Sequence, residues 1–185
     1  MFEFGLRDLP QKETLEEYSV HFPELQKEAV LAALALLRTA ADLSKAFDLH
    51  FAAFGITEGR FIILMLLYRE SDYTLDFTLL SEKAEITKST LTGLIDGLEK
   101  QGYVERIPHP KDRRKQLLRL SSSGLKLLEE MLPKHYKKTG HLMVGLSLSE
   151  QLDLINLLDK LQESLLKTEK REVVEHEQTI YCKRK

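Results

Sequence analysis

The chain has 185 residues, 43% of them hydrophobic and 30% charged, enough for one full-sized core beneath a well-solvated surface. Its 27 Lys and Arg nearly balance 29 Asp and Glu, and a net charge of −2 does not by itself announce a nucleic-acid partner. A single cysteine, Cys182, excludes an internal disulfide framework and a cysteine-based metal site, and reads as an incidental tail thiol.

Residues 1–10 lack the basic segment, apolar run and small-residue cleavage site of a secretory signal. The longest apolar stretch, residues 61–68, is far short of the roughly 20 residues that cross a bilayer. The expectation is a cytoplasmic chain with no membrane partner. Residues 1–22 are read as an N-terminal extension. Pro23 suits a first helical turn, and Glu24 and Glu28 place negative charge near the positive end of the helix dipole. Apolar residues then recur at three- and four-residue steps through Ala33, Leu37, Ala41 and Phe47, which predicts one long helix over 23–54, ending before Gly55. A helix of that length suits an element that reaches a second subunit, so a homodimer is expected.

The region 55–120 is read as one functional unit. Thr57 opens a short helix whose nearly continuous apolar run demands burial. Residues 71–77 form a connector with room for a short strand, and Thr78 or Ser81 is expected to cap the next helix, through about Glu85. Thr87 is a good N-cap for a further helix in which Leu91, Leu94, Ile95 and Leu98 form one apolar stripe, ending at Gly102. Its opposite face carries Lys88, Ser89, Thr92 and Asp96. Residues 103–107 and 116–120 alternate like strands around a turn over 108–112, which predicts a β-hairpin.

Beyond the hairpin, residues 121–124 read as a cap leading into another helix, which Pro133 is expected to kink or interrupt. Ser149 is expected to cap a final helix carrying Leu152, Ile155, Leu158, Leu161 and Leu165. Residues 121–168 are thus assigned to dimerisation, and 169–185 to a tail without periodicity. The fold class is mainly α with a small β-hairpin.

Charge is distributed unevenly. Residues 88–119 hold eight Lys or Arg against four Asp or Glu, a local surplus of four that leaves −6 for the rest of the chain. Two short helices followed by a cationic hairpin form a winged helix-turn-helix, in which the second helix enters the major groove of double-stranded DNA and the hairpin lies along the backbone. Each phosphate that a lysine or arginine neutralises releases counterions, so such binding is steeply salt-dependent. The expected contacts are Lys88, Ser89, Thr90 and Thr92 on the helix, with Arg106, Lys111, Arg113, Arg114 and Lys115 on the wing.

Three linked motifs carry a family resemblance: residues 80–106 (LSEKAEITKSTLTGLIDGLEKQGYVER), 110–115 (PKDRRK) and 120–124 (LSSSG). Together they resemble the helix-turn-helix, the Asp-x-Arg wing and the post-wing helix start of the multiple antibiotic resistance regulator (MarR) family, and the order of helices extends the likeness over residues 24–167. The resemblance implies a dimeric transcriptional regulator, a repressor, on a pseudo-palindromic operator. It implies that Asp112 orients the wing and that Arg114 reaches the minor groove, between Arg113 and Lys115 as backbone contacts. It also implies a small-molecule effector, often an aromatic anion, at the junction where Phe47, His50, Phe51, Phe54 and Arg60 gather with Phe61 and Ile63. The plainer reading of those rings is core packing. The chain departs from the family at Gly93 and Gly97, where polar side chains are common, and at Glu85, where a small turn residue is expected.

Other readings are weaker. His135 and His141 lie six apart, share no helix face and have no third ligand, so they read as surface histidines and no metal is expected. No Ser/His/Asp, phosphate-loop or His-Glu-x-x-His arrangement is present, so neither an enzyme nor a cofactor is expected. The alternative from another class is a winged-helix protein-interaction adaptor with weakened DNA binding, toward which Gly93, Gly97 and the net negative charge lean.

Overall fold

A computed structural model describes residues 8–110 and 116–182, with side chains to residue 168. Lys111, Asp112, Arg113, Arg114 and Lys115, and the side chain of Cys182, lie outside the described residues. The chain divides into two compact units, Met1–His135 and Tyr136–Lys185.

The first unit begins with α1 (Lys12–His21), a helix within the stretch expected to be a mere extension; its Leu15 is buried and Glu16 pairs with Lys27 on the next helix. The long helix α2 spans Lys27–Ala52. It starts four residues later than expected, because residues 22–26 turn the chain between α1 and α2. Its end is a left-handed glycine: Gly55 has φ +69°, its N–H donates to the Ala52 carbonyl, and the Ile56 N–H donates to Phe51.

Helix α3 (Glu58–Tyr68) is capped by Thr57, which accepts from the Arg60 N–H. Its Ile63, Leu64 and Leu67 are fully buried. The connector does form a strand, β1 (Thr74–Asp76), and the next helix, α4 (Phe77–Lys83), is capped by Asp76 rather than Thr78 or Ser81. The Asp76 carboxylate accepts from the Thr78 and Leu79 N–H groups, which satisfies two amides that a threonine cap two residues further on would miss. Helix α5 (Lys88–Lys100) follows, capped by Thr87. It closes on Gly102 at φ +75°, with Tyr103 N–H donating to Leu98 and Gly102 N–H to Glu99.

Strands β2 (Val104–Pro108) and β3 (Gln116–Leu120) pair antiparallel, with Arg106 opposite Leu118. β1 adds to the other edge of β3, giving the order β1-β3-β2. Helix α6 (Ser122–Leu142) begins where the Ser121 hydroxyl accepts from the Gly124 N–H and donates to the Gly102 carbonyl. Gly124 is required there, because a Cβ would overlap the Tyr103 carbonyl oxygen. Pro133 does not interrupt α6, whose helical assignment continues past it to Leu142. One core unites Phe51, Ile56, the buried residues of α3, Leu80 of α4, Leu91, Ile95 and Leu98 of α5, the strand residues Val104 and Leu118, and Leu128 and Met131 of α6.

The second unit contains the end of α6 and α7 (Leu148–Cys182). Ser147, not Ser149, caps α7: its N–H and hydroxyl donate to Glu150, whose own N–H donates back to the Ser147 oxygen. The helix also runs through 169–182, which the sequence reading left as an aperiodic tail. Leu152, Ile155, Leu158, Leu161 and Leu165 are all exposed in the single chain.

Candidate nucleic-acid interface

The turn between α4 and α5 is fixed by short-range chemistry. The Ser81 hydroxyl, itself buried, donates to the Ile86 carbonyl at 2.7 Å, and the Ile86 N–H returns a bond to the Ser81 carbonyl. Glu85 sits between them at φ +52°, a left-handed conformation that disfavours any residue but glycine, Asn or Asp. This is where a small residue was expected, and the backbone shows why. The turn tilts α5 so that Leu91, Ile95 and Leu98 enter the core while Lys88, Ser89, Thr90 and Thr92 stay exposed.

Two of those four are occupied by the helix itself. Thr90 shares a 2.9 Å hydroxyl contact with Thr87 and lends its N–H to the cap, and the Thr92 hydroxyl donates to the Lys88 carbonyl at 2.8 Å. Thr92 keeps an acceptor lone pair and a methyl group on the outer face. Lys88 and Ser89 stand at the first turn, where the α5 amides and the helix dipole favour an anion.

The strand cations are differently engaged. Arg106, on β2, is ion-paired through one guanidinium nitrogen with Asp96 and through the other with Glu99, both on α5. Arg119, on β3, pairs with Glu105 across the hairpin at 2.8 Å. The two described wing arginines are therefore turned toward acids of their own chain, and Arg106 joins the hairpin to α5.

The rings expected at the effector junction do gather, with changes in membership. Phe51 stacks on Phe61 with centroids 4.5 Å apart, Phe47 stacks on Phe51 at 6.1 Å, and His50 meets Phe54 edge-on at 5.3 Å. Phe51 and Ile63 are core residues, as the plainer reading had it. His135 is a member rather than a surface histidine: its ring lies 5.4 Å from Phe47, 4.9 Å from Phe61 and 5.5 Å from His50. Burial holds the His135 imidazole below its ordinary pKa of 6.5, and the charge of His50 beside it acts in the same direction. The Lys134 ammonium lies 5.2 Å over the Phe54 ring. Arg60 points elsewhere: its Nη1 donates to Gln101 at 3.1 Å, at the far end of α5.

Among the described residues no group of His, Cys, Asp or Glu has metal-binding geometry, and no helix is long and apolar enough to cross a membrane.

The family model for the MarR family matches residues 56–115. Over 160 residues the chain is 32% identical to the HTH-type transcriptional repressor YetL of Bacillus subtilis (strain 168), a match spanning 86% of this chain and 96% of that one. The chain belongs to the MarR family. It is 26% identical over 161 residues to the HTH-type transcriptional regulator PecS of Dickeya dadantii (strain 3937), spanning 86% and 97% of the two chains. The crystal structure of the MarR family transcriptional regulator Sco3205 from Streptomyces coelicolor, in complex with DNA, superposes with a TM-score of 0.70 at 25% identity, over 76% of this chain and 89% of that one.

Against that MarR frame, α4 and α5 are the two helices of the helix-turn-helix and β2–β3 is its wing. Gln101 and His135 are the members of the site region that sequence reasoning did not place. Periodicity has no term for either, since both act through contacts to residues at least 40 positions away.

Proposed function

We propose that this MarR-family chain is a transcriptional repressor that binds a pseudo-palindromic operator as a homodimer, laying one α5 in each of two successive major grooves. The observation that carries the reading is the exposed polar first turn of α5, set beside a hairpin with six basic residues and one acid over residues 106–119. Lys88 and Ser89 meet phosphate or base edges, Thr92 offers its acceptor and methyl group, and Thr90 serves the cap. On the wing, Lys111, Arg113, Arg114 and Lys115 supply the phosphate and minor-groove contacts, oriented by Asp112. Arg106 is reassigned from contact to support, since its guanidinium is already held by two carboxylates. Two-fold symmetry then places the half-sites about one helical turn apart, roughly 34–36 Å.

The dimer surface is assigned to α2, α6 and α7, and the exposed leucine stripe of α7 supports it. Occupying a promoter needs no catalytic group or cofactor, and it assigns the chain to the compartment of the chromosome, the cytoplasm. A small aromatic anion is the effector class that fits the Phe47, His50, Phe51 and Phe54 cluster, with Lys134 as its cationic edge. Such a ligand acts only through the difference in its affinity for the DNA-bound and released arrangements.

The test is selection of genomic fragments on the purified protein, followed by titration of the enriched fragment across a salt series. A repressor enriches a palindrome and gives a steep log–log slope. An adaptor enriches nothing and binds without that slope, an outcome that would falsify the proposal.

A further inference from the structure

The crossing of α3 and α5 contains a reciprocal fit between two glycines and two long side chains. A Cβ added to Gly59 on α3 would press on Leu94 of α5 at 3.3 Å. One turn further along α5, a Cβ added to Gly97 would collide with the guanidinium of Arg60, its nearest neighbours there being Nη2, Cζ and Nε. Each helix thus leaves out a side chain where the other inserts one. Gly93, by contrast, faces open space.

Arg60 is held in that seat. Its Nη1 donates to the Gln101 side-chain carbonyl at 3.1 Å, and the Gln101 amide donates to the Gly55 backbone carbonyl at 2.9 Å. Gly55 is the left-handed residue that ends α2, next to Phe54 of the ring cluster. A continuous polar chain therefore runs from the end of α2, through Gln101 and Arg60, onto the last turn of α5. Hydrogen bonds to a charged donor are directional, and a planar guanidinium lying on a bare Cα leaves the helix little freedom to rotate or slide.

We propose that Arg60 is a positioning residue for the recognition helix, locking the rotation of α5 against the α2–α3 corner through Gln101, and that Gly97 is glycine to admit it. The proposal deepens the repressor reading, because α5 is the helix assigned to the groove. It also removes Gly97 from the case for an adaptor: the missing side chain makes room for an internal contact and does not mark a lost DNA contact.

The full-length protein is made as wild type, Arg60→Ala, Gly97→Ala and the double variant, and thermal melting is followed without DNA. With Arg60 present, Gly97→Ala shifts the melting temperature less favourably than in the Arg60→Ala background, because the new methyl group displaces the guanidinium from Gln101 and that loss offsets the helix gain of alanine. With Arg60 removed, the same substitution leaves it unchanged or raises it, since alanine is the better helix former. Equal shifts in both backgrounds overturn the contact.

The second arm uses Gln101→Leu, which cuts the polar chain and leaves Gly97 and Arg60 in place. On the genomic fragment selected above, Arg60→Ala and Gln101→Leu each weaken binding about three- to tenfold, the scale of one net hydrogen bond, at unchanged salt slope. A slope reduced by about one for Arg60→Ala means that Arg60 touches a phosphate, and affinity within twofold of wild type for Gln101→Leu means that the chain does not set the helix. Either result overturns the positioning role. Should wild type bind no fragment, the repressor reading fails and the melting cycle alone judges the contact.

Discussion

Helices α5 and α7 are both amphipathic, and they dispose of their apolar stripes in opposite ways. On α5, Leu91, Ile95 and Leu98 are fully buried against α3, α4 and β2, within one chain. On α7 the stripe is as regular, yet Ile155 is 53% and Leu165 57% exposed. A monomer rarely leaves so continuous an apolar ridge in water. The contrast is between a helix packed within its own chain and one whose stripe the single chain leaves uncovered; under the proposed reading a second copy covers α7, so substitutions on the two should separate folding from assembly.

The largest effect is expected on α7. Leu158→Glu with Leu161→Glu removes two apolar side chains per chain from the proposed dimer surface and places charge there. Each buried leucine contributes roughly 1.5–3 kcal/mol, so the dimer dissociation constant should rise by at least about a thousandfold. Sedimentation equilibrium would show monomers with the helical content of wild type. A variant that remains dimeric at micromolar concentration removes α7 from the interface.

Next in size is the wing. Neutralising Arg113 and Arg114 together should weaken operator binding by roughly ten- to a hundredfold and reduce the salt slope by about two, while melting temperature stays put. Arg106→Gln should behave differently on the same fragment. It frees Asp96 and Glu99 and loosens the hairpin from α5, so affinity falls about three- to tenfold with the slope unaltered, as for the loss of a hydrogen-bonded tie. If Arg106→Gln lowers the slope as Arg113→Ala does, Arg106 is a phosphate contact after all.

These two groups of arginines also show what a sequence can and cannot disclose. Local signals carried the secondary structure: the Thr87 cap, the Gly102 stop, the leucine stripe of α5 and the alternation around residues 108–112 all concern neighbours within one or two turns. Their failures were local competitions, as where Asp76 outdid Thr78 as a cap and Ser147 outdid Ser149 because Glu150 completes a reciprocal box. The partner of a long cation was not legible. Arg60 and Arg106 both looked available for a ligand or DNA, and each is tied instead to a residue brought near only by the fold: Gln101, and the acids of α5. Gly97 reads in the sequence as a departure from the family pattern that leans toward an adaptor, because the guanidinium that fills its place comes from another helix.

The smallest predicted effect concerns His135, and its sign follows from burial. The imidazole lies among Phe47, Phe51 and Phe61, with His50 beside it and Lys134 adjacent in sequence, surroundings that favour the neutral ring and hold its pKa below 6.5. As the pH falls through about 6.5, the unfolded chain takes up a proton that the folded chain resists, so the unfolded state is favoured and stability declines. Above that range the group contributes no pH dependence, because both states are neutral. His135→Phe keeps a ring in the cluster and removes the proton site. Melting wild type and variant at pH of about 7.5 and about 5.5, where carboxylates remain ionised, should show the smaller drop in the variant. Equal drops would place the acid sensitivity of the α2–α6 packing elsewhere, with His50 the next residue to substitute.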